Sequence, residues 1–446
     1  MSKEQMDSGT RRYLEGLSEI PNAPFLYEPA SRFVVDNLIN LGITKVEPVQ
    51  AQKTNIGFCS DELGIYVKIK GGNPKNKVIV TTHLDHPFFV INKNGYGEAV
   101  GSVESNRIKV NTPLRIYSRN GDFLGIDVIQ EIKRHRQSST IKTEGMVVPD
   151  SNSHGIWDLS PILYGQSVLK MLSADDIATT AISLSLIENL VNMKDQDINV
   201  EFIFTHLEEV RQVSATGIAK RGATPFGRID GSTIIIPLEC DHAEVSTKQA
   251  QKIIKEGFTP ANYDDGLIVR LNDSGIVYGQ RFGGNNNAES LLLQSFSKME
   301  NVRFQQSIVT GACDGTAFSL FSPTPHIACI TIPTRNKHNI DLGGEIVHEE
   351  IKREDFQSAM NLLENAIILA GRTQLKLSGN EISQKLKKSS LSASQNGLSA
   401  LSADRLGAYR SSIERLKVAK YYPTNNSEKM YFIIGGVNSR IRRMVK

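Results

Sequence analysis

Four short runs in this 446-residue chain are apolar or β-branched at nearly every position: 78–84 (VIVTTHL), 200–207 (VEFIFTHL), 233–238 (TIIIPL) and 327–332 (IACITI). A strand with one wet face alternates polar and apolar residues, so runs that lack the alternation must be covered on both sides. Segments 176–192, 287–299 and 354–370 carry apolar residues at helical spacing and supply that cover, as do 5–17 and 28–41 near the N-terminus. Strands alternating with helices predict an α/β fold: a mainly parallel mixed sheet flanked by helices.

The chain is too long for one hydrophobic core. Residues 93–160 break the rhythm with Gly, Ser, Asn and short alternating segments such as RIKVNTPLRIYS. They are expected to form a small β-barrel-like domain inserted into a main domain made of 1–92 and 161–374. Residues 375–403 are rich in Ser and Lys and read as a linker. The extension 404–446 holds a helix-like run and the strand-like MYFIIGG, to which the sequence assigns no role.

The net charge of +3 is small, and Lys and Arg are spread along the chain. Neither nucleic acid nor a membrane is expected as a partner. The four cysteines, Cys59, Cys240, Cys313 and Cys329, form no CxxC pair, and no secretory signal opens the chain. A reducing cytoplasm is the expected location.

Candidate chemical groups fall at the ends of the apolar runs, the edge where open α/β sheets bind ligands. HLDHP places His83 and Asp85 at one strand end, and an Asp two residues from a His suits a carboxylate that orients the ring. SADDIATT places Asp175 and Asp176 where a helix begins, positions that an N-cap and a first-turn acid also explain. FIFTHLEEV sets Glu208 and Glu209 after an apolar strand, where adjacent acids are costly unless something positive faces them. IIIPLECDHAE supplies Glu239, Asp241 and His242, and IPTRNKHN supplies His338. Each piece alone is ordinary. Together they offer two histidines and several carboxylates, a ligand set for Zn, Mn or Co rather than for thiolate-bound metal. Two metal ions, one bridging carboxylate and one free carboxylate as base would make a hydrolase. The chain has no P-loop, no GxGxxG after a strand and no GxSxG elbow. His86, His206 and His242 neighbour candidate ligands and are read as supporting residues.

The ordered set HxD, DD, EE, acid, His resembles the co-catalytic dinuclear metallopeptidases, and in particular the tetrahedral (TET-type) and glutamyl aminopeptidases. GACDGTAFSLFSPTPHIACITIPTRNKHN is similar to that family's Gly-rich, Asp-containing segment followed by IPTR and a ligand His, and YGQSVLKMLSADD resembles its approach to the bridging Asp. The likeness runs from about 79 to 370. It implies a zinc-peptidase-like fold and two divalent ions per chain, zinc first, with cobalt or manganese as alternatives. His83, Asp175 and Glu239 would hold one ion, and Asp175, Glu209 and His338 the other. Asp85 would orient His83, Glu208 would be the general base, and Asp314 matches a family Asp of open role.

Two departures stand out. The family often has Arg soon after the Asp pair, where this chain has Ile177 and Ala178. It usually has Asp where this chain has Glu239, and Asp241 is an alternative ligand. The resemblance implies an aminopeptidase acting on peptides and a homo-oligomer, with a dodecamer as the family's form. A dinuclear carboxypeptidase or N-acyl-amino-acid hydrolase is the nearest alternative, and a non-catalytic oligomeric scaffold is the alternative of another class.

Overall fold

The computed structural model describes residues 6–373, except 104–107, 136–137, 146, 148, 150–152, 194–195, 244–246, 256–259, 271, 274–275, 279–285, 301, 308 and 310. The expected linker 375–403 and extension 404–446 lie outside the described residues. Helices α1 (Ser8–Ser18), α2 (Glu28–Asn40) and α3 (Pro48–Ala51) lead into the hairpin β1 (Ile56–Asp61) and β2 (Gly64–Gly71), then β3 (Val78–His83). Six strands follow: β4 (Phe88–Ile91), β5 (Tyr96–Val100), β6 (Pro113–Tyr117), β7 (Phe123–His135), β8 (Ser138–Gly145) and β9 (Ser153–Trp157). They close into a barrel in the order β4-β5-β8-β7-β6-β9. Phe89, Ile91, Leu114, Ile116, Ile129, Ile141 and Trp157 of these strands pack into one buried cluster, which Phe88 joins from the neighbouring position.

The chain returns through β10 (Ile162–Tyr164) and β11 (Val168–Met171) to α4 (Ala174–Asn192), β12 (Ile198–Thr205) and α5 (Val213–Arg221). Next come the short pair β13 (Ala223–Thr224) and β14 (Gly227–Arg228), β15 (Ile234–His242), α6 (Thr247–Lys255) and β16 (Leu267–Arg270). The pair β17 (Asn272–Asp273) and β18 (Ile276–Val277) precedes α7 (Asn287–Phe296), β19 (Phe304–Gln305) and α8 (Asp314–Phe321). The last elements are β20 (Cys329–Arg335), a 3-10 turn (Lys337–Asn339), β21 (Glu349–Lys352) and α9 (Arg353–Arg372).

The main sheet has 11 strands, in the order β1-β2-β12-β3-β15-β20-β21-β11-β10, with β16 and β19 added beside β20. Its centre is parallel: β12 with β3, β3 with β15, and β15 with β20. The flanks from β2 to β1 and from β20 to β10 are antiparallel, so apart from the short β16–β19 pair the sheet is parallel where the four apolar runs lie. Along those runs successive residues enter opposite layers, as the two-residue period of a strand requires. Val78, Val80, Phe202, Phe204, Ile234 and Ile236 pack with Ala178 and Ile182 of α4 and Phe356 and Leu363 of α9. Ile79, Ile203 and Ile235 pack on the other side with Ile218 of α5 and Phe318 of α8. Helix cover on both faces is what the missing alternation demanded. Four parallel strands then deliver their C-terminal ends, and whatever follows them, to one edge.

One close approach tightens this packing. A methyl group at Gly371 of α9 would lie 1.5 Å from the Asp197 carbonyl oxygen just before β12. The Gly371 carbonyl itself accepts from Lys75 N at 2.9 Å. Gly371→Ala must therefore push α9 away from β12. We expect it to cost about 1–3 kcal/mol, the usual range for overpacking, measured as a lower urea midpoint; an unchanged midpoint would show that the contact tolerates a side chain.

Candidate active site

His83 ends β3, Glu208 and Glu209 follow β12, Glu239 lies inside β15 and His338 sits in the turn after β20. Asp175 comes from the first turn of α4. All of them are buried, none more than a tenth exposed. His83 Nε2 lies 3.2 Å from Asp175 Oδ1 and 3.6 Å from Glu239 Oε1. His338 Nε2 lies 3.4 Å from Asp175 Oδ2 and 3.0 Å from Glu209 Oε1. Asp175 thus stands between the two histidines, one oxygen toward each. Ligand atoms of His83, Asp175 and Glu209 converge within 4.8 Å of one another.

The groups behind these side chains hold them by their backbones. Asp85 accepts from Glu208 N at 2.9 Å and from Glu209 N at 3.1 Å. Its carboxylate is 3.4 Å from His83 Nδ1, while its carbonyl takes that ring N–H at 2.9 Å. Asp85 therefore fixes both the histidine and the diglutamate turn. Glu349 of β21 does the same across the site, accepting from Asp175 N at 2.9 Å and from His338 N at 2.6 Å. His338 has a left-handed backbone with φ 60°, costly for a residue with a side chain, and this carboxylate helps hold it there. His86 donates to the Asp175 carbonyl at 2.6 Å. Asp176 accepts from Thr82 Oγ1 at 2.7 Å and His83 N at 3.1 Å and so is turned away from its neighbour's role. His206 stacks on Tyr27, and burial lowers its pKa to about 4, so it is a neutral packing residue.

Both candidate histidine ligands have their tautomer set. Nδ1 of His83 donates to the Asp85 carbonyl, and Nδ1 of His338 donates to the Ser102 carbonyl at 3.0 Å. Nε2 of each ring then faces carboxylate oxygens; against burial, which lowers them, these carboxylates raise both histidines well above the usual imidazole value, so the space between Nε2 and oxygen calls for a proton or a metal cation. Glu239 Oε2 is buried and makes no hydrogen bond, while Asp175 Oδ2 faces the Lys337 ammonium at 3.0 Å and His338 Nε2 faces Glu209 Oε1 at 3.0 Å. Two imidazoles with Nε2 turned inward and three converging carboxylates are a donor set that fits divalent zinc, cobalt or manganese once the ring protons are displaced.

The electrostatics carry the same message. Burial would raise Asp175, but Lys337, His338 and His83 outweigh it and hold the carboxyl well below its usual value. Burial pushes Glu208 well up, with Glu209, Asp314 and Asp85 adding to the rise. Glu208 Oε1 is nevertheless placed, accepting from Gln212 Nε2 at 2.8 Å. Asp314 opens α8, accepts from Thr205 Oγ1 at 2.9 Å and is raised to about 6, chiefly by burial.

The structure thus brings His83, Asp175, Glu209, Glu239 and His338 together, with Asp85 and Glu208 beside them. Asp241, the alternative ligand, is tied instead to buried Arg270 at 2.7 Å and to Lys337 at 2.9 Å. Lys337, Glu349 and Arg270 were not anticipated. Lys337 had one available signal, its place next to His338 in NKHN.

No protein-family model matches the chain, and no curated protein matches it in sequence. Solved structures do match. A TET aminopeptidase from a marine sediment Thaumarchaeota archaeon aligns with a TM-score of 0.61 at 15% identity, covering 82% of this chain and 98% of that one. An aminopeptidase from the archaeon Desulfurococcus kamchatkensis gives 0.59 at 16% identity over 82% of this chain and 98% of its own. The Pyrococcus horikoshii TET1 peptidase, which can assemble into a tetrahedron or a large octahedral shell, gives 0.57 at 15% identity over 80% and 99%. The fold is that of the TET-type peptidases, as the motifs implied. At these identities the likeness is one of fold, and chemistry has to be argued from the side chains.

Glu349→Ala should loosen Asp175 and His338 together. Removing a group that orients ligands typically lowers metal affinity 10–100-fold, and we expect a loss of that size for added zinc by competition with a chromogenic chelator. Wild-type affinity in this variant would mean that Glu349 does not position the ligands.

Proposed function

We propose that the chain is a metal-dependent aminopeptidase that removes N-terminal residues from peptides, with Glu208 as general base. The observation that carries this reading is the pair of tautomer-fixed histidines facing the two oxygens of Asp175, beside a diglutamate turn whose first carboxyl is placed but bound to no histidine. His83, Asp175 and Glu239 form one proposed metal position; Asp175, Glu209 and His338 form the other. Zinc is the first choice, with cobalt and manganese as alternatives. Bound divalent ions would polarise the scissile carbonyl and lower the pKa of the attacking water.

The side chains supply the rest. Glu208, in a site that excludes bulk water, takes the proton from the water and passes it to the leaving amine. Its raised proton affinity suits that acceptor-then-donor role. Asp85 holds Glu208 and Glu209 through their backbone N–H groups, so one carboxyl can serve as base while its neighbour binds metal. Surplus buried carboxylates suit a substrate that arrives with a free ammonium group. Asp314 stands behind Glu208 as a tuning charge.

Glu239, where the similar family usually has Asp, supports a second reading as a carboxypeptidase or N-acyl-amino-acid hydrolase. Assays with free-amine, free-carboxylate and N-acylated substrates separate the two. A placed, unligated base has no use in a non-catalytic scaffold. The proposed division has a discontinuous catalytic domain, 1–92 and 161–374, and an inserted domain, 93–160, with the barrel running from Phe88 to Trp157. We also propose a homo-oligomer, a dodecamer by analogy with structurally similar peptidases that assemble. Among the described residues no helix is long and apolar enough to cross a membrane. The cytoplasm is the proposed location.

Chelation should abolish hydrolysis, and zinc, cobalt or manganese should restore it; full activity in metal-stripped protein would refute the metal reading. Glu208→Gln should cut turnover by about 10²–10⁴-fold, the usual contribution of general-base catalysis, while metal content stays at the wild-type level. Glu209→Gln should lose metal and activity together. Elemental analysis and rates on the same preparations decide this, and the roles are wrong if Glu208→Gln is the variant that loses metal. Light scattering at micromolar concentration should show a multiple of the 49.3 kDa chain; a monomer would rule out the proposed assembly.

A further inference from the structure

Lys337 is the one lysine whose ammonium reaches the carboxylates of the site among the described ion pairs. Its Nζ lies 3.0 Å from Asp175 Oδ2, 2.9 Å from Asp241 Oδ1 and 3.8 Å from Glu239 Oε1. The side chain is only 17% exposed, so the charge is held within the protein. Asp241 anchors it and is itself anchored, by the Arg270 guanidinium at 2.7 Å and by His242 N at 2.6 Å. This chain of Arg270, Asp241, Lys337 and Asp175 leads from the interior to the middle of the site.

A two-ion centre needs both oxygens of Asp175. Oδ1 is the one beside His83 Nε2, and Oδ2 is the one beside His338 Nε2. Oδ2 is also the oxygen paired with Lys337. A metal–oxygen bond of about 2.0–2.2 Å at Oδ2 would bring a divalent ion within about 5 Å of an ammonium that stays where it is. Like charges at that range inside a protein repel strongly. The ammonium and the second ion are therefore rivals for one oxygen. No such rivalry exists at Oδ1.

We propose that Lys337 competes with the second divalent ion for Asp175, so that the chain takes up one ion readily and a second only by displacing this ammonium toward Asp241. The inference rests on the metal-dependent reading above and adds to it a named residue that sets metal occupancy. The first position keeps His83 and Asp175 Oδ1 whether or not the lysine moves, and its third group, Glu239, lies farther from the ammonium, at 3.8 Å against 3.0 Å for Asp175 Oδ2. The second requires Oδ2, and Asp241 is the group that can retain the displaced charge.

The test is metal binding rather than catalysis. Full-length, metal-stripped protein is titrated with zinc, and separately with cobalt, by calorimetry and equilibrium dialysis. Wild type should bind one ion tightly and a second at least tenfold more weakly. Lys337→Gln and Lys337→Met should tighten the second step at least tenfold and leave the first within about threefold. Lys337→Arg keeps the charge and should leave the second step weak. Circular dichroism confirms that each variant is folded, and the arginine variant reads the proposal even where a neutral one does not fold. Two equal steps in wild type, an unchanged second step in the neutral variants, or a tight second step in Lys337→Arg overturns the role of the lysine while leaving the metal reading intact. No zinc or cobalt bound by wild type overturns both.

Discussion

Asp85, Asp175, Asp176, Glu208, Glu209, Glu239, Asp241, Asp314 and Glu349 are all less than a tenth exposed, and they crowd one edge of one sheet. Taking ionised carboxylates out of water is among the most costly things a fold can do. Every feature of the site answers that cost in one of three ways. Some acids accept backbone N–H groups, as Asp85 and Glu349 do. Some hold their protons more tightly, as burial makes Asp176 do, up to about 7. The others face cations: Lys337, Arg270 and, in the proposed function, divalent metal. The apolar layers on both faces of the sheet supply the stability that makes such an edge tolerable.

The three answers fall on different residues, and that division makes a site rather than a cluster. Asp85 and Glu349 spend both oxygens on backbone N–H groups and are unavailable as ligands. By holding Glu208, Glu209, Asp175 and His338 from behind, they leave those side chains free to point inward. Hydrogen bonds to main chain are also what stabilise the left-handed residue His338, whose own conformation is unfavourable. The loop that follows β5 of the barrel takes part as well, because the Ser102 carbonyl accepts from His338 Nδ1. A domain that looks like an ornament on the topology thereby touches the proposed chemistry.

Lys337 shows how the same edge can be tuned without changing its ligands. Between Asp241 and Asp175 it balances negative charge that metal would otherwise have to balance. Arg270 behind Asp241 keeps that carboxylate charged and in place, with burial opposed by both cations. In the proposed reading the arrangement would link metal occupancy to a basic residue that is not a ligand.

Much of this was legible in the sequence, for a local reason. A strand without polar alternation must be covered on both sides, and residues that follow such strands in a parallel sheet share one edge. His83, Glu208, Glu209, Glu239 and His338 could therefore be grouped before any coordinates were known, and Asp175 could be added from the start of a helix. What the residues around them do was not legible. Glu349 meets Asp175 across 174 positions of chain, and Arg270, Asp241 and Lys337 come from three separate elements. Asp241 read as a possible ligand until Arg270 and Lys337 were seen on either side of it. Periodicity reports only which face of an element is buried. Which buried charges then meet depends on how β15, β16, β20 and β21 stack side by side, and that register is a property of the assembled sheet.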